Sequence, residues 1–113
     1  MITNAKELLG KEVAVTIDRP LGSAHPKFPQ SIYPINYGYI PGTKSPVDNE
    51  EIDAYVLGPT SAVKTFTGKV IAIVHRTDDE EKLVVAALPL PATEIENAIH
   101  FQEKFYKHTL TLL

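Results

Sequence analysis

The sequence contains no cysteine and has no long hydrophobic run. The lack of cysteine excludes disulfide bonds and thiolate metal sites. The longest apolar runs, VIAIV and LVVAAL, are far too short to cross a bilayer, and the N-terminal residues show no basic-then-apolar signal pattern. We therefore predict a soluble protein located in the cytoplasm.

A strong net charge is also missing. The chain has 113 residues, and we interpret residues 1–113 as one domain. The formal net charge of −3 gives no reason to expect nucleic acid or an anionic membrane as a partner. A site for an anionic substrate would therefore need local basic groups or bound cations.

Short apolar segments of strand character dominate what is present. They are EVAVTI, INYGYI, IDAYVLG, GKVIAIVHR and KLVVAAL. NAKELLG is typical of a short N-terminal helix capped by Asn4, and EIENAIHFQEKFYKH of an amphipathic helix of about four turns, with Thr93 and Glu96 as a capping box. Because short strands without helical crossovers must protect their edges, we predict a mainly β, mostly antiparallel fold that closes into a barrel.

The stretch VDNEEIDAYVLG crowds acids against the start of a strand. Asp53 would share one side of that strand with Tyr55 and Leu57, and Asp48 and Glu50 share a face if the chain is extended. Two like charges about 5 Å apart repel by roughly 3 kcal/mol at an effective dielectric near 20. The residues alone leave two interpretations open, a solvated polar turn or a cleft that binds a hard cation such as Mg²⁺ or Mn²⁺.

A second acidic stretch, HRTDDEEK, precedes the next predicted strand. By itself it is typical of a hairpin turn. Lys82 would share a strand face with Val84 and Ala86, where its ammonium either reaches water or contacts a phosphate. The tyrosines of YPINYGYIPG are typical of a core, although a phenol can donate a hydrogen bond to phosphate while its ring packs.

Taken in order, YPINYGYIPGT, DNEEIDAYVLG, the acidic turn with KLVVAALP, and HFQEKFYK resemble the motifs of the soluble family I inorganic pyrophosphatases. The acidic signature of that family, D-x-D-x-x-D, would read Asp48, Glu50 and Asp53 here. The resemblance implies a mainly β (α+β) fold, a small closed five-stranded OB-like barrel with a short N-terminal and an amphipathic C-terminal helix. It also implies hydrolysis of pyrophosphate to orthophosphate, with Mg²⁺, or Mn²⁺, as cofactor.

The resemblance further implies a role for each matching residue. The catalytic residues would be Glu50, which helps to activate water, and Asp53. The metal ligands would be Asp48, Asp53 and an acid of the second stretch, Asp79 or Glu80. The groups that hold phosphate oxygens would be Tyr37, Lys82, Tyr106 and Lys107.

The sequence departs from the family pattern in several places. An upstream glutamate and lysine have no match, and the usual phosphate-binding arginine before YP is missing. Arg19 and Lys27, in the proline-rich loop 18–34, are the candidates to replace that arginine as substrate-binding residues. Glu50 stands where the family has aspartate, and a shift of about 1 Å in a base can cost roughly 10²-fold in rate.

These departures keep three other functions open. The same barrel would serve as a hydrolase of another phosphoanhydride such as a nucleotide, as a non-catalytic module that binds a metal–phosphate ligand or a partner chain, or as a barrel without a site. The apolar tail TLTLL favours a homo-oligomer, since so small a chain covers exposed apolar surface poorly.

Overall fold

The computed structural model describes residues 2–113, which form two helices and six strands. Their bounds are α1 Ala5–Leu8, β1 Glu12–Arg19, β2 Asn36–Tyr39, β3 Asp53–Val56, β4 Thr65–Arg76, β5 Glu81–Ala86, α2 Ala92–Glu103 and β6 His108–Leu112. The first five strands lie in the short apolar segments that were predicted to be strands. No helix in the described part of the chain is both long and apolar enough to span a bilayer.

Five strands close into a barrel in the order β1-β2-β3-β5-β4, and β4 completes the circle by pairing with β1. The pair β3–β5 is parallel, and the other neighbouring strands are antiparallel. The second half of β4 also pairs with β6, which therefore lies outside the barrel. The prediction of a mainly β, closed five-stranded, OB-like barrel with two helices is confirmed.

The backbones of β1 and β2 approach each other closely at Gly38. A Cβ atom on this residue would lie 1.9 Å from the backbone oxygen of Thr16 in β1. No side chain fits at that distance, so glycine is required where the two backbones meet. The glycine inside YPINYGYIPG thus has a structural cause.

The two faces of β3 and β5 contact different parts of the core. Tyr55 and Val84 belong to one hydrophobic cluster, which includes Ile95 of α2. Ala54 and Leu83 belong to the other cluster, which includes the α1 residue Ala5. Because side chains alternate along a strand, the first residues of β3 and β5 that point toward the α2 side are charged, and they build the site described below.

The C-terminal region differs most from the prediction. The N-cap of α2 is Pro91, which makes no side-chain capping bond, so the predicted capping box of Thr93 and Glu96 is wrong. The helix ends at Glu103, and the predicted fourth turn is replaced by a loop that leads into β6. Pairing of β6 with the free edge of β4 satisfies its backbone groups on one side, which outweighs the helical pattern of the sequence.

Strand pairing also positions the C-terminal tail, which pairs with β4, and the first residues of the proline-rich loop, which pair with β2. Leu110 packs against the α2 side of the core, while Leu112 and Leu113 stay 44% and 54% exposed. β1 extends through Asp18 and Arg19, which the sequence assigned to the loop. A register shift between Ile17 and Arg19 accompanies this extension.

Candidate functional site

An open cavity of about 460 Å³ lies at the rim of the barrel where β3 and β5 begin. Its lining is dominated by carboxylates, which come from the end of β1, from the loop before β3 and from the start of β5. They are Asp18, Asp48, Glu50, Glu51, Asp53, Glu80 and Glu81. The acidic cavity, as we call it, also contacts Tyr39, Ser45 and Ile52.

A tight turn brings the acids before β3 together. Asn49 adopts a positive φ of 60°, and the Asp48 Oδ1 atom accepts a hydrogen bond of 2.9 Å from the backbone N–H of Glu50. The short polar side chains of Asn and Asp tolerate and support this backbone shape. The turn therefore places Asp48, Glu50 and Asp53, predicted from separate positions of one motif, around the same cavity.

Asp53 connects the acidic cavity to two buried donors. Its Oδ2 atom accepts hydrogen bonds from the Tyr37 hydroxyl, at 2.7 Å, and from the Lys82 ammonium, at 3.0 Å. The Lys82 side chain is 5% exposed and the Asp53 side chain 40% exposed. Both bonds use the same oxygen, and within residues 2–113 no hydrogen bond reaches Oδ1, which remains available to a ligand in the cavity.

The parallel pairing of β3 and β5 causes this contact. Ala54 is registered opposite Leu83, so the preceding residues of the two strands, Asp53 and Lys82, lie side by side on one face. Tyr37 reaches the same face from β2, where it is registered opposite Tyr55. Lys82 thus stays inside the protein instead of extending its ammonium to water.

Glu80 is anchored by two cationic side chains. Its Oε1 atom lies 3.2 Å from the Lys82 Nζ, and its Oε2 atom lies 3.4 Å from an Arg76 Nη atom. The Lys82 ammonium donates hydrogen bonds to Tyr37 and Asp53, and its third contact is the ion pair with Glu80. Glu80 therefore lines the acidic cavity while the buried Arg76 and Lys82 fix its carboxylate.

Two groups near the cavity have shifted pKa values. Burial raises the pKa of Asp18, and the charge of Asp53 adds to that rise while Arg19 opposes it. Burial, together with the neighbouring Asp53, raises the pKa of Tyr37 well above its usual 10.0. The Tyr37 hydroxyl therefore stays protonated and remains a hydrogen-bond donor at neutral pH.

The structure places the other predicted site residues away from the acidic cavity. Tyr106 lies over the Arg76 guanidinium, with 3.7 Å between the Cζ atom and the ring centre. Arg19 donates a hydrogen bond of 3.3 Å to the Tyr33 hydroxyl. The remaining ones are exposed and do not line the cavity: Lys27, Asp79 and Lys107.

Several cavity residues were not predicted from the sequence. Asp18, Tyr39, Glu51 and Glu81 all line the cavity. Asp18 carried one usable signal, since it follows Thr16 on the polar face of β1 and lies at the end of a strand. The C-terminal end of β1 pairs with β2, which in turn pairs with β3. No local sequence pattern predicts this pairing.

The carboxylates suit a hard divalent cation. Among residues 2–113 no three carboxylate or imidazole groups converge closely enough to enclose an ion by themselves. Mg²⁺ does not need such an enclosure, because it keeps several waters and is bound by one or two carboxylates together with phosphate oxygens. The free Oδ1 of Asp53 and the neighbouring acids match that requirement.

The fold and the site together define a class: a small OB-like barrel whose acidic cavity adjoins a buried lysine and tyrosine. Such a site suits a phosphate-containing anion bound with cations. A family model described as inorganic pyrophosphatase matches residues 4–110. The chain belongs to the inorganic pyrophosphatase family, which depends on divalent metals.

Solved structures support the same fold at low sequence identity. The inorganic pyrophosphatase of Ehrlichia chaffeensis is 15% identical with a TM-score of 0.69, and the match covers 98% of this chain and 89% of that one. For the Coxiella burnetii enzyme the values are 19%, 0.59, 89% and 84%, and for the Helicobacter pylori enzyme 16%, 0.57, 90% and 82%. No curated protein sequence matches this chain.

Proposed function

We propose that this chain is an inorganic diphosphatase that hydrolyses pyrophosphate to two orthophosphate ions with Mg²⁺, or Mn²⁺, held in the acidic cavity. One observation carries the proposal: Asp53 lines a carboxylate-rich cavity while accepting hydrogen bonds from the buried Lys82 and Tyr37. Binding groups for a cation and for a phosphate oxygen are therefore in direct contact. Membership of the pyrophosphatase family supports pyrophosphate as the substrate.

The cation would be held by Asp48 and the free oxygen of Asp53. When bound, divalent cations neutralise phosphate oxygens and lower the pKa of water toward neutrality. Glu50, on the same cavity wall, would orient the attacking water and take its proton. The carboxylates left over, including Asp18, add to the negative potential that attracts cations.

The phosphate that leaves would be stabilised by Lys82 and Tyr37. Because the Lys82 ammonium already contacts Tyr37, Asp53 and Glu80, a phosphate oxygen would bind it by replacing one of these three partners. The barrel already fixes the side chains of both donors, so only their acceptors would change when the phosphate oxygen binds. The raised pKa of Tyr37 keeps its hydroxyl protonated, and this single proton would have to exchange Asp53 for a phosphate oxygen.

Other parts of the prediction remain proposals. Roles in substrate binding for Arg19, Lys27, Tyr106 and Lys107 would require movement toward the cavity. A ligand role for Asp79 would require the acidic turn to reorient, whereas Glu80 already lines the cavity and would have to exchange Arg76 or Lys82 for the cation. Assembly into a homo-oligomer and location in the cytoplasm also remain predictions.

A phosphate-release assay with pyrophosphate, run with and without Mg²⁺, tests the proposal. We expect release only with Mg²⁺, and a loss of at least about 10²-fold in Asp53→Asn, because the variant loses both a cation ligand and the partner of Lys82. Glu94→Gln, which removes an exposed acid of α2, is the matched control and should keep full activity.

Unchanged turnover in Asp53→Asn would refute the assigned site. A panel of phosphoanhydrides at equal Mg²⁺ concentration checks the substrate. If a nucleoside triphosphate were hydrolysed faster than pyrophosphate, the substrate assignment would be wrong although the site would stand. Tight pyrophosphate binding without turnover, measured by calorimetry, would identify a binding module instead.

A further inference from the structure

A fully buried carboxylate lies behind the acidic cavity, at the last residue of α2. Glu103 is 0% exposed. One of its oxygens accepts hydrogen bonds from the Tyr55 hydroxyl and from an Arg76 Nη atom, the latter at 2.6 Å. Its other oxygen accepts from the Arg76 Nε at 3.1 Å. We call Tyr55, Arg76 and Glu103 the buried triad.

The buried triad fixes the Arg76 guanidinium in one orientation. Two parallel hydrogen bonds between a guanidinium and a carboxylate give geometric specificity that a single contact lacks. The ring of Tyr106 lies 3.7 Å from the guanidinium carbon and covers it. The remaining Nη1 atom of the guanidinium does not contact Glu103 and instead donates a hydrogen bond to Glu80.

The contacts continue without interruption from α2 to the acidic cavity. From Glu103 they pass through Arg76 to Glu80, whose second oxygen lies 3.2 Å from the Lys82 ammonium. Lys82 in turn contacts the Asp53 Oδ2 at 3.0 Å. The helix end is therefore linked to the two groups on which the proposed chemistry depends.

Stability alone does not account for such an arrangement. A buried ion pair is expensive to desolvate, and apolar residues of similar volume often serve a fold equally well. Burial opposes the charge of Glu103, yet the bonds from Arg76 and Tyr55 outweigh it and hold the pKa of Glu103 below its usual 4.5. The triad is therefore charged at neutral pH, and its geometry is maintained at an energetic cost.

We propose that Arg76 and Glu103 are positioning residues for the active site, which act through Glu80 to hold the Lys82 ammonium against Asp53. The inference rests on the proposed function for its catalytic consequence. The consequence for Lys82 itself follows from the contacts alone and is measured without substrate.

The main variant replaces the whole triad: Tyr55→Phe, Arg76→Met and Glu103→Leu together. All three changes keep apolar volume and leave no member of the triad unpaired, while the partly exposed Glu80 loses Arg76 but keeps Lys82, so we expect the variant to fold. We expect kcat/KM for pyrophosphate to fall by about 10- to 100-fold, because misplacement of about 1 Å can cost that much. We also expect the ¹⁵N signal of the Lys82 ammonium to broaden through faster exchange with water.

Arg76→Lys separates positioning from support of the fold. A lysine keeps a positive charge beside Glu103 but lacks the second arm that reaches Glu80. We expect this variant to fold, to lose kcat/KM by several-fold and to show the altered Lys82 signal. It also decides the question if the triple variant does not fold.

The matched control is Glu96→Gln. This change removes the partner of His108, whose Nδ1 lies 3.8 Å from Glu103, and leaves the contacts of Arg76, Glu80 and Lys82 in place. Activity and the Lys82 signal should stay as in the unmodified protein. A wild-type chain that does not release phosphate would refute the proposed function, and the Lys82 signal would then decide the positioning role by itself.

Wild-type kcat/KM together with an unchanged Lys82 signal in a folded triple variant or in Arg76→Lys would overturn the proposal. The buried triad would then serve the fold alone. An altered signal in both variants, with an unchanged one in Glu96→Gln, would support it.

Discussion

Two charged regions of this protein meet at Glu80 and differ in how their charge is balanced. In the acidic cavity the lining carboxylates outnumber the buried cationic groups that contact them, Lys82 at Asp53 and Glu80 and Arg76 at Glu80. In the buried triad the carboxylate of Glu103 is matched by Arg76 and by a hydroxyl donor. The first region leaves charge uncompensated, and the second compensates every charge internally.

The difference follows from access to water. Exposed carboxylates repel each other weakly, by less than about 1 kcal/mol per pair in bulk water, so the cavity can store negative charge until a cation arrives. A buried charge without a partner costs several kcal/mol, so the interior tolerates only complete pairs. The open cavity can therefore accommodate the cation that we propose, whereas the buried triad is already complete without a ligand.

Glu103→Leu, in the buried triad, should cause the largest loss of folding stability. The change leaves the Arg76 charge buried without its main partner, and we expect the free energy of unfolding to fall by about 3–5 kcal/mol. Urea denaturation followed by circular dichroism measures the loss, with Glu94→Gln as control. A loss of less than about 1 kcal/mol would contradict the internal balance that we assign to the triad.

The same carboxylate should make stability depend on pH. Because the folded pKa of Glu103 is lowered below 4.5, its contribution is fully present above that pH and is lost as the pH falls through the folded value. We expect denaturation below pH 4.5 to show this component in the wild-type chain and not in Glu103→Leu. Equal acid sensitivity of the two chains would count against it.

Asp48→Asn, in the acidic cavity, should have a smaller effect on stability than Glu103→Leu and should stabilise the fold instead of destabilising it. Asparagine keeps the acceptor for the Glu50 N–H and removes one repelling charge, so without divalent cations stability should rise by up to about 0.5 kcal/mol. With Mg²⁺ the variant should gain less in melting temperature than the wild-type chain, because cation binding stabilises only the folded state. Equal gains would show that Asp48 does not contact the cation.

His108→Gln tests a pair of intermediate exposure and should have the smallest effect. The His108 Nε2 lies 2.7 Å from Glu96, and these side chains are 15% and 45% exposed. Burial opposes the charge of His108, but the bond to Glu96 outweighs it and raises the pKa above 6.5.

A raised pKa means that this pair stabilises the fold below pH 6.5 and that the stabilisation is lost as the pH rises through the folded value. We expect His108→Gln to cost a few tenths of a kcal/mol at pH 5.5 and nothing at pH 8.5, since exposed pairs are weak. Urea denaturation at the two pH values measures the difference. A larger cost at the higher pH would reverse the sign and refute the assignment.

Local pattern determined most of the elements of this fold. Short apolar segments located the first five strands, and the two-residue period of a strand placed Asp53 and Lys82 on the faces they occupy. The period of a strand is set by its own backbone, so a single segment carries this information. The order of the motifs was also sufficient to predict the family that residues 4–110 match.

Only the tertiary structure decided which of these residues meet. The parallel pairing of β3 and β5 sets Lys82 beside Asp53, and the closure of the barrel brings Asp18 to the same cavity. Tertiary structure also ended the predicted helix at Glu103, paired the apolar tail with β4 as β6 and buried Glu103 against Arg76. The physical reason is that strand pairing and burial depend on contacts between distant segments. The periodic pattern of apolar residues within one segment contains no information about such contacts.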